Sequence, residues 1–306
     1  MFSSKIQNIQ LKTTMVYCKI LCIAVMSVSL CQAQTQKESL QRELTFNTPI
    51  STSSTLMIFN INGNVSVTGY AGEKVLVSAE KIIKAKTPGG LRRGIEQIQL
   101  DVLQLNDTII LSVRNECFGF GRTTERNRWR QRGNNWGYQW NERGHCDLPY
   151  DYILNINVHV PAALRLAVST INDGDINIEH TQGAIVADNI NGSISLRDIG
   201  GGTRASTING DVDLEYTSNP GENSRYYTLN GNINATFQSG LSANLAFESY
   251  NGELFTNVEQ LESLPLMIEI AQDQSGVRYK VAGSRYKIRN GGILLDFETF
   301  NGNVID

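Results

Sequence analysis

The sequence predicts an all-β fold, a β-solenoid of coils 18–21 residues long with an antiparallel cap at its N-terminal end. Three observations point there. An apolar-Asn-Gly tripeptide recurs along the chain, the glycines of its consecutive copies stand 18, 18, 21 and 21 residues apart, and the residues after each glycine alternate polar and aliphatic. A fixed period near 20 is the sequence mark of stacked repeats, and the alternation is that of a half-buried strand.

The corners come first. They are Asn62-Gly63, Asn191-Gly192, Asn209-Gly210, Asn230-Gly231, Asn251-Gly252 and Asn301-Gly302, with Asn172-Asp173-Gly174 as a copy one residue longer. Two places before the glycine stand Ile61, Ile190, Ile208, Leu229, Tyr250 and Phe300. Two places after it stand Val65, Ile176, Ile194, Val212, Ile233, Leu254 and Val304. A third apolar column, five before the glycine, is out of phase with the one at minus two, so the chain is expected to bend between them. Asn-Gly at the bend is explained by tolerance of left-handed backbone, and parallel stacking lets successive asparagines hydrogen-bond in a file. Calcium at Asn172-Asp173-Gly174-Asp175 is the functional alternative, but the glycine-rich nonapeptide of calcium-binding β-rolls is absent. No metal and no cofactor are expected.

Residues 74–168 lack the corner motif and read as β throughout, with alternation at Val75-x-Val77, Ile98-x-Leu100-x-Val102, Ile109-x-Leu111-x-Val113 and Leu154 to Val160. Leu103-x-Leu105 continues in opposite phase, which predicts a bulge after Val102, and Asn106-Asp107 reads as a hairpin turn. This part supplies the antiparallel cap that covers the open strand edge of the stack. Residues 255–299 separate the last two corners and read as a hairpin insertion before a final closing coil.

Residues 1–33 read as a secretory signal peptide: Lys5, Lys12 and Lys19 precede the 11-residue apolar run Ile20 to Leu30, and Cys31-Gln32-Ala33 supplies small residues for cleavage. Met15 is an alternative start, and Cys31 a lipidation alternative disfavoured by Leu30 before it. The run is too short to span a bilayer, which takes about 20 residues. Residues 34–44 read as a polar linker. Removing 1–33 takes three Lys and no acid, so 24 Lys and Arg face 30 acids, a net charge of −6. Of five cysteines, Cys117 and Cys146 remain, and one pair in an exported protein points to a disulfide, two unrelated buried thiols being the other reading.

Between those cysteines lies the one chemically unusual segment. It holds every tryptophan of the chain, Trp129, Trp136 and Trp140, and six arginines against two glutamates, +4 where the remaining mature chain carries −10. Arg126, Arg128, Arg130 and Arg132 alternate, so an extended strand places four guanidinium groups on one face. Such a comb suits phosphates, sulfates or carboxylates, and the tryptophans suit stacking on sugar rings. The alternative is a solvated hairpin whose Trp pack on the body and whose Arg pair with its acids.

The early Gly63 motif, the strand ending at Pro161-Ala162 and the serial Ser/Thr-apolar-Asn-Gly-polar-aliphatic coils together resemble the bacterial putative adhesin domain family over residues 45–306. That resemblance implies a β-solenoid on the cell surface or in the periplasm, a non-enzymatic role and no catalytic residues to carry over; Asp173 and the 117–146 insertion depart from its pattern. The partners expected are acidic polysaccharide, lipopolysaccharide or other envelope proteins, not nucleic acid. The other readings are a polysaccharide-degrading β-helix enzyme using outward carboxylates such as Asp211, Asp213 and Glu215, and a purely structural envelope protein.

Overall fold

The computed structural model describes residues 34–306 apart from 48, 116, 121–137, 141–146, 259, 266–267, 274–275 and 282; for 118–120, 138–140, 268–273 and 276–281 it describes the backbone. The described chain is all-β, with two large mixed sheets and one helix. Residues 1–33 lie outside the described chain.

Each corner carries the chain from one sheet to the other. A strand of the eleven-stranded sheet ends at the asparagine or three residues before it, and the strand that opens after the glycine belongs to the ten-stranded sheet. In the first sheet Thr55–Phe59, Arg165–Ser169, Ile185–Asp188, Thr203–Asn209 and Ser224–Asn230 pair in parallel in that order. In the second, Val65–Tyr70, Ile176–Thr181, Ile194–Ile199, Val212–Tyr216 and Ile233–Thr236 do the same. One continuous core fills the space between. The plus-two column is its spine, with Val65, Ile176, Ile194, Val212, Ile233 and Val304 all fully buried, and the minus-five column faces it with Ile58, Ala187, Ala205, Tyr226 and Phe297. The hydroxyls of Tyr216 and Tyr226 meet across the core at 2.8 Å.

The minus-two column departs from expectation. It faces outward, from buried Ile61 at one end to Ile208, Phe300 and Tyr250, the last 75% exposed. The strand runs straight through minus five and minus three, so the inward partner is the minus-three residue: Asn60, Asn189, Thr207, Thr228 and Thr299, with Thr170 in the longer copy, all buried. Their side chains donate to a corner glycine carbonyl: Asn60 to Gly63 at 3.0 Å, Thr170 to Gly63 at 2.9 Å, Asn189 to Gly174 at 3.0 Å, Thr207 to Gly192 at 2.8 Å, Thr228 to Gly210 at 2.8 Å and Thr299 to Gly231 at 3.3 Å. A buried carbonyl that the strand ladder leaves aside is thereby satisfied.

Further findings differ from the sequence reading. Residues 34–44 are a strand, Gln34–Leu44, paired antiparallel along its whole length with Val75–Ala85. Neither of its faces is buried, so no apolar alternation marks it, and the ion pairs Lys37–Glu80, Lys81–Glu38 and Lys74–Glu43 line it instead. The stretch read as wholly β holds a helix, Pro88–Gln97, started by Pro88 and capped by Thr87, whose side chain accepts from the Gly90 amide at 3.0 Å. No bulge follows Val102: Gln99–Gln104 and Thr108–Arg114 pair in unbroken register, and Leu103 simply faces solvent. Arg165–Ser169, grouped with the antiparallel part by sequence, is a parallel strand between Thr55–Phe59 and Ile185–Asp188. The antiparallel pairs at that end are Gln34–Leu44 on Val75–Ala85, Val75–Ala85 on Asp151–Pro161, and Gln99–Gln104 on Thr108–Arg114.

Another difference concerns order. Ile293–Asn301 lies between Ser224–Asn230 and Ala243–Asn251, and Val304–Ile305 between Ile233–Thr236 and Leu254–Phe255. The C-terminal coil is therefore wedged inside the stack, and the coil of Asn251 is the outermost. A polar edge follows, where Ala243–Asn251 pairs antiparallel with Ser284–Ile288, which pairs in turn with Leu261–Ser263.

The left-handed tolerance expected at the corner is used by glycine and not by asparagine: Gly63, Gly210, Gly231 and Gly302 have positive φ, at 117°, 155°, 158° and 156°. No corner asparagine adopts positive φ; among described non-glycine residues that conformation belongs to Asp173, His180, Asp198, Gln260 and Arg289. Asp173, at φ 51°, absorbs the one-residue insertion and lets Gly174 fall back into file. Glycine supplies room as well. A Cβ on Gly210 would lie 2.3 Å from the Gly192 carbonyl oxygen, one on Gly231 2.0 Å from that of Gly210, and one on Gly302 1.8 Å from that of Gly231.

Gly210→Ala should therefore lower stability by about 2–4 kcal/mol, since the atom it meets is backbone that must move. Thr228→Val should cost about 1 kcal/mol by removing the donor to Gly210. Asp211→Ser should stay under about 0.5 kcal/mol, because Ser193 already fills the equivalent place one coil earlier. Thermal melts of the three variants check the order, and equal shifts for Gly210→Ala and Asp211→Ser would refute the steric account.

Candidate functional site

The corners bring together residues that lie far apart in sequence. Asn172 donates its side-chain amide to the Oδ1 of Asn62 at 3.2 Å, Asn191 to Asn172 at 3.2 Å, Asn209 to Asn191 at 2.8 Å, Asn230 to Asn209 at 2.9 Å, Asn301 to Asn230 at 2.8 Å and Asn251 to Asn301 at 2.9 Å. Seven asparagines form one unbroken file. A second file runs beside it, in which the side chain just after each glycine accepts from the backbone N–H of the next coil: Asn64 from Asp175, Asp175 from Ser193, Ser193 from Asp211, Asp211 from Asn232, Asn232 from Asn303 and Asn303 from Glu253. Sequence reasoning missed this second file because its members, Asn, Asp and Ser, share only an acceptor oxygen.

Two of the outward carboxylates considered for acid and base chemistry are engaged in that scaffold. Asp211 accepts from the Asn232 amide at 2.7 Å, and Asp213 accepts from the side chain of Asn234 at 2.7 Å. Among the described residues no group of three or more His, Cys, Asp and Glu is arranged to hold a metal ion.

The Arg and Trp segment is described only at its root. Phe118–Phe120 and Tyr138–Trp140 pair as an antiparallel ribbon, with Phe118 opposite Trp140 and Phe120 opposite Tyr138. Cys117, just before it, is buried. Arg126, Arg128, Arg130, Arg132, Trp129, Trp136 and Cys146 lie outside the described residues, and of Trp140 only the backbone is described.

At the foot of that segment a cavity of about 430 Å³ opens beside the first corner. Asp147, Asp151 and Asp173 line it with Lys84, Tyr150 and Asn62. The Tyr150 hydroxyl donates to Gln97 at 2.9 Å, tying the wall to the helix, and burial drives the Tyr152 hydroxyl far above the ordinary tyrosine range, so it stays neutral. Three carboxylates against one lysine give the cavity negative character, and Asp147 directly follows the basic segment in sequence. A second cavity, about 340 Å³, lies at the other end of the stack among Phe237, Gln238, Leu241, Arg289 and Asp306. Burial raises the Asp306 carboxyl, partly offset by the Thr256 hydroxyl that donates to it at 3.0 Å.

No protein-family model matches the chain, and no curated protein matches it. Three solved structures share its outline at low scores. A putative cell adhesion protein from Clostridium sporogenes ATCC 15579 is 11% identical with a TM-score of 0.38, covering 88% of this chain and 98% of its own. A putative adhesin from Bacteroides fragilis NCTC 9343 is 9% identical with a TM-score of 0.38, covering 88% and 97%. A putative lipid binding protein from Parabacteroides distasonis ATCC 8503 is 9% identical with a TM-score of 0.29, covering 89% and 97%. Similarity this low carries no argument, so the reading of the site rests on its own chemistry. Among the described residues no helix is long and apolar enough to cross a membrane.

The body also holds a strained charge. Asp188, on the strand Ile185–Asp188, has its carboxyl raised by burial, which outweighs the opposing attraction of Arg204. The folded state then holds the proton more tightly than the unfolded chain. Stability falls as pH rises from the ordinary carboxylate value of 3.8 through the raised one, and levels off above it. Asp188→Asn should therefore melt higher than the parent at neutral pH, with the gap closing as the pH falls below the ordinary range. A gap that stays constant across that window in denaturation curves would show that burial is not the cause.

Proposed function

We propose that the chain is an exported, non-enzymatic binding module of the bacterial envelope, a β-solenoid in architecture and adhesin-like in role. Its 118–145 segment takes an acidic glycan such as lipopolysaccharide or an anionic polysaccharide. The observation that carries this reading is the segregation of charge: +4 and every tryptophan of the chain sit in one segment rooted on a two-stranded ribbon, on a mature chain otherwise at −10. The parallel coils, each passing from one sheet to the other, support the solenoid reading. The signal-peptide pattern of residues 1–33 supports export to the periplasm or the cell surface.

One specific observation favours a second reading. The carboxylates Asp147, Asp151 and Asp173 around the cavity offer the arginines a partner within the protein, in which case the segment closes over its own body. Changing Arg126, Arg128, Arg130 and Arg132 together to Ser separates the two. On the binding reading the variant loses retention on immobilised heparin and lipopolysaccharide while its melting point holds, and binding by the parent weakens steeply with salt because charges are screened within about 8 Å at physiological ionic strength. A lower melting point with unchanged retention would assign the arginines to the body. Trp129→Ala should weaken sugar binding by roughly 1–3 kcal/mol with the salt dependence intact.

The pairing of Cys117 with Cys146 belongs to the same proposal. Cys117 is buried, and Cys146 lies outside the described residues. A bridge there closes a loop at its ribbon root, stabilising by roughly 3–4 kcal/mol on chain-entropy grounds. Thiol labelling of the unfolded, unreduced mature protein should find no free thiol, and two labelled cysteines would end the pairing.

A further inference from the structure

Asn-Gly is the dipeptide most prone to lose its side-chain amide, because glycine leaves its own nitrogen unhindered to attack the asparagine carbonyl carbon. The chain holds seven such dipeptides: the six corners, and Asn290-Gly291. In six of them the glycine N–H is already committed. Gly63 donates to Asn172 at 3.1 Å, Gly192 to Asn209 at 2.9 Å, Gly210 to Asn230 at 3.0 Å, Gly231 to Asn301 at 3.0 Å, Gly302 to Asn251 at 3.2 Å and Gly291 to Ile288 at 3.0 Å. Each of the other Asn-Gly corner glycines donates to the next coil outward, and among the described residues the coil of Asn251 has no next coil. Gly252 N–H therefore has no acceptor among the described residues.

The rest of that corner is looser too. Asn251 donates to Asn301, but among the described residues no asparagine donates to its own Oδ1, whereas every other member of the file accepts from the coil beyond. Its side chain is exposed, and Tyr250 beside it is 75% exposed. Ser249, in the place where other coils bond a glycine carbonyl, has a buried hydroxyl without a hydrogen-bond partner among the described residues.

From this asymmetry we infer that Asn251 is a site of spontaneous covalent modification, the one corner at which the folded protein converts asparagine to aspartate and isoaspartate. The Gly252 nitrogen bonds to the Asn251 Cγ and the Cγ–Nδ2 bond breaks. The proton from the glycine nitrogen leaves with Nδ2 as ammonia, and water then opens the cyclic imide at either carbonyl. The product carries a new negative charge where an amide had donated, so it faces the Asn301 oxygen without a hydrogen. The outermost bond of the file is lost, and the stack is marked at its open end.

The mature protein held folded at neutral pH, sampled over time, and mapped by peptide mass spectrometry with fragmentation that tells aspartate from isoaspartate, tests this. Asn251 should convert about tenfold faster than Asn191, Asn209 or Asn230, the advantage that one or two missing hydrogen bonds confer. An acidic shift on isoelectric focusing should appear in parallel and be absent from Asn251→Ser. In urea all seven dipeptides should convert at similar rates. Conversion of Asn251 no faster than Asn209 in the folded protein would overturn the inference, as would the same preference for Asn251 in urea, which would assign it to local sequence.

Discussion

Coil spacing is the constraint on which the rest depends. Parallel strands sit about 4.8 Å apart, and where the chain turns from one sheet to the other at the corner, the Cα of each glycine lies against the carbonyl oxygen of the glycine one coil below. Gly174 rests on Gly63, Gly192 on Gly174, Gly210 on Gly192, Gly231 on Gly210, Gly302 on Gly231 and Gly252 on Gly302, each leaving 1.8–2.3 Å where a Cβ would stand. A side chain at any of these points holds two coils apart, and every strand pair above and below feels it. The glycine file sets the spacing, and the asparagine file to one side and the acceptor file to the other use it.

Those files show how the corner solves its polar accounting. A corner strips backbone groups of their strand partners, and a buried orphan costs about 1–3 kcal/mol. Here the glycine carbonyl is met from inside by Thr or Asn of the minus-three column, and the N–H after the glycine is met from outside by the Asn, Asp or Ser of the coil before. Local side chains thus replace ladder bonds, so the corner is as tightly specified as the strands. The cost of this arrangement falls at the last coil, where a repeating scheme has no successor and its donors go unused.

Much of this was legible in the sequence, for a physical reason: a repeat makes neighbours in space out of neighbours in period. The plus-two and minus-five columns are core because each is aliphatic or aromatic in copy after copy. The minus-two column misled, since an apolar file that stacks on itself needs no core behind it; Tyr250 and Phe300 lie ring on ring at 4.8 Å while remaining exposed. The minus-three residues were hidden by their polarity, since Thr reads as surface until its partner carbonyl is seen. Gln34–Leu44 was hidden because an edge strand held by backbone bonds and ion pairs has no apolar face to display. Of the candidate site, the charge segregation is fully a property of sequence. The cavity with Asp147, Asp151 and Asp173 was not foreseeable, since it joins residues on either side of an insertion and a corner.

The order of coils could not be read from period at all, and it bears on how the molecule comes together. Gly231 and Gly252 are 21 residues apart, the spacing of direct neighbours, yet the coil of Asn301 lies between them. Period reports the size of a coil, not its address. Because Ala243–Asn251 is joined in the large sheet to Ile293–Asn301 on one side and Ser284–Ile288 on the other, its attachment to the body runs through the C-terminal strand. The outer coil therefore cannot dock in its final place until residues 293–306 have paired with Ser224–Asn230 and Ile233–Thr236. Inner coils add by closing loops of about 20 residues, whereas this step brings residue 295 against residue 224. Closing entropy grows only slowly with length, so the burial of Leu295, Phe297 and Val304 in the core and the two-sided pairing of their strands outweigh it. The stack is thus locked by the strands Ile293–Asn301 and Val304–Ile305, and the coil they lock is the one with the least satisfied corner.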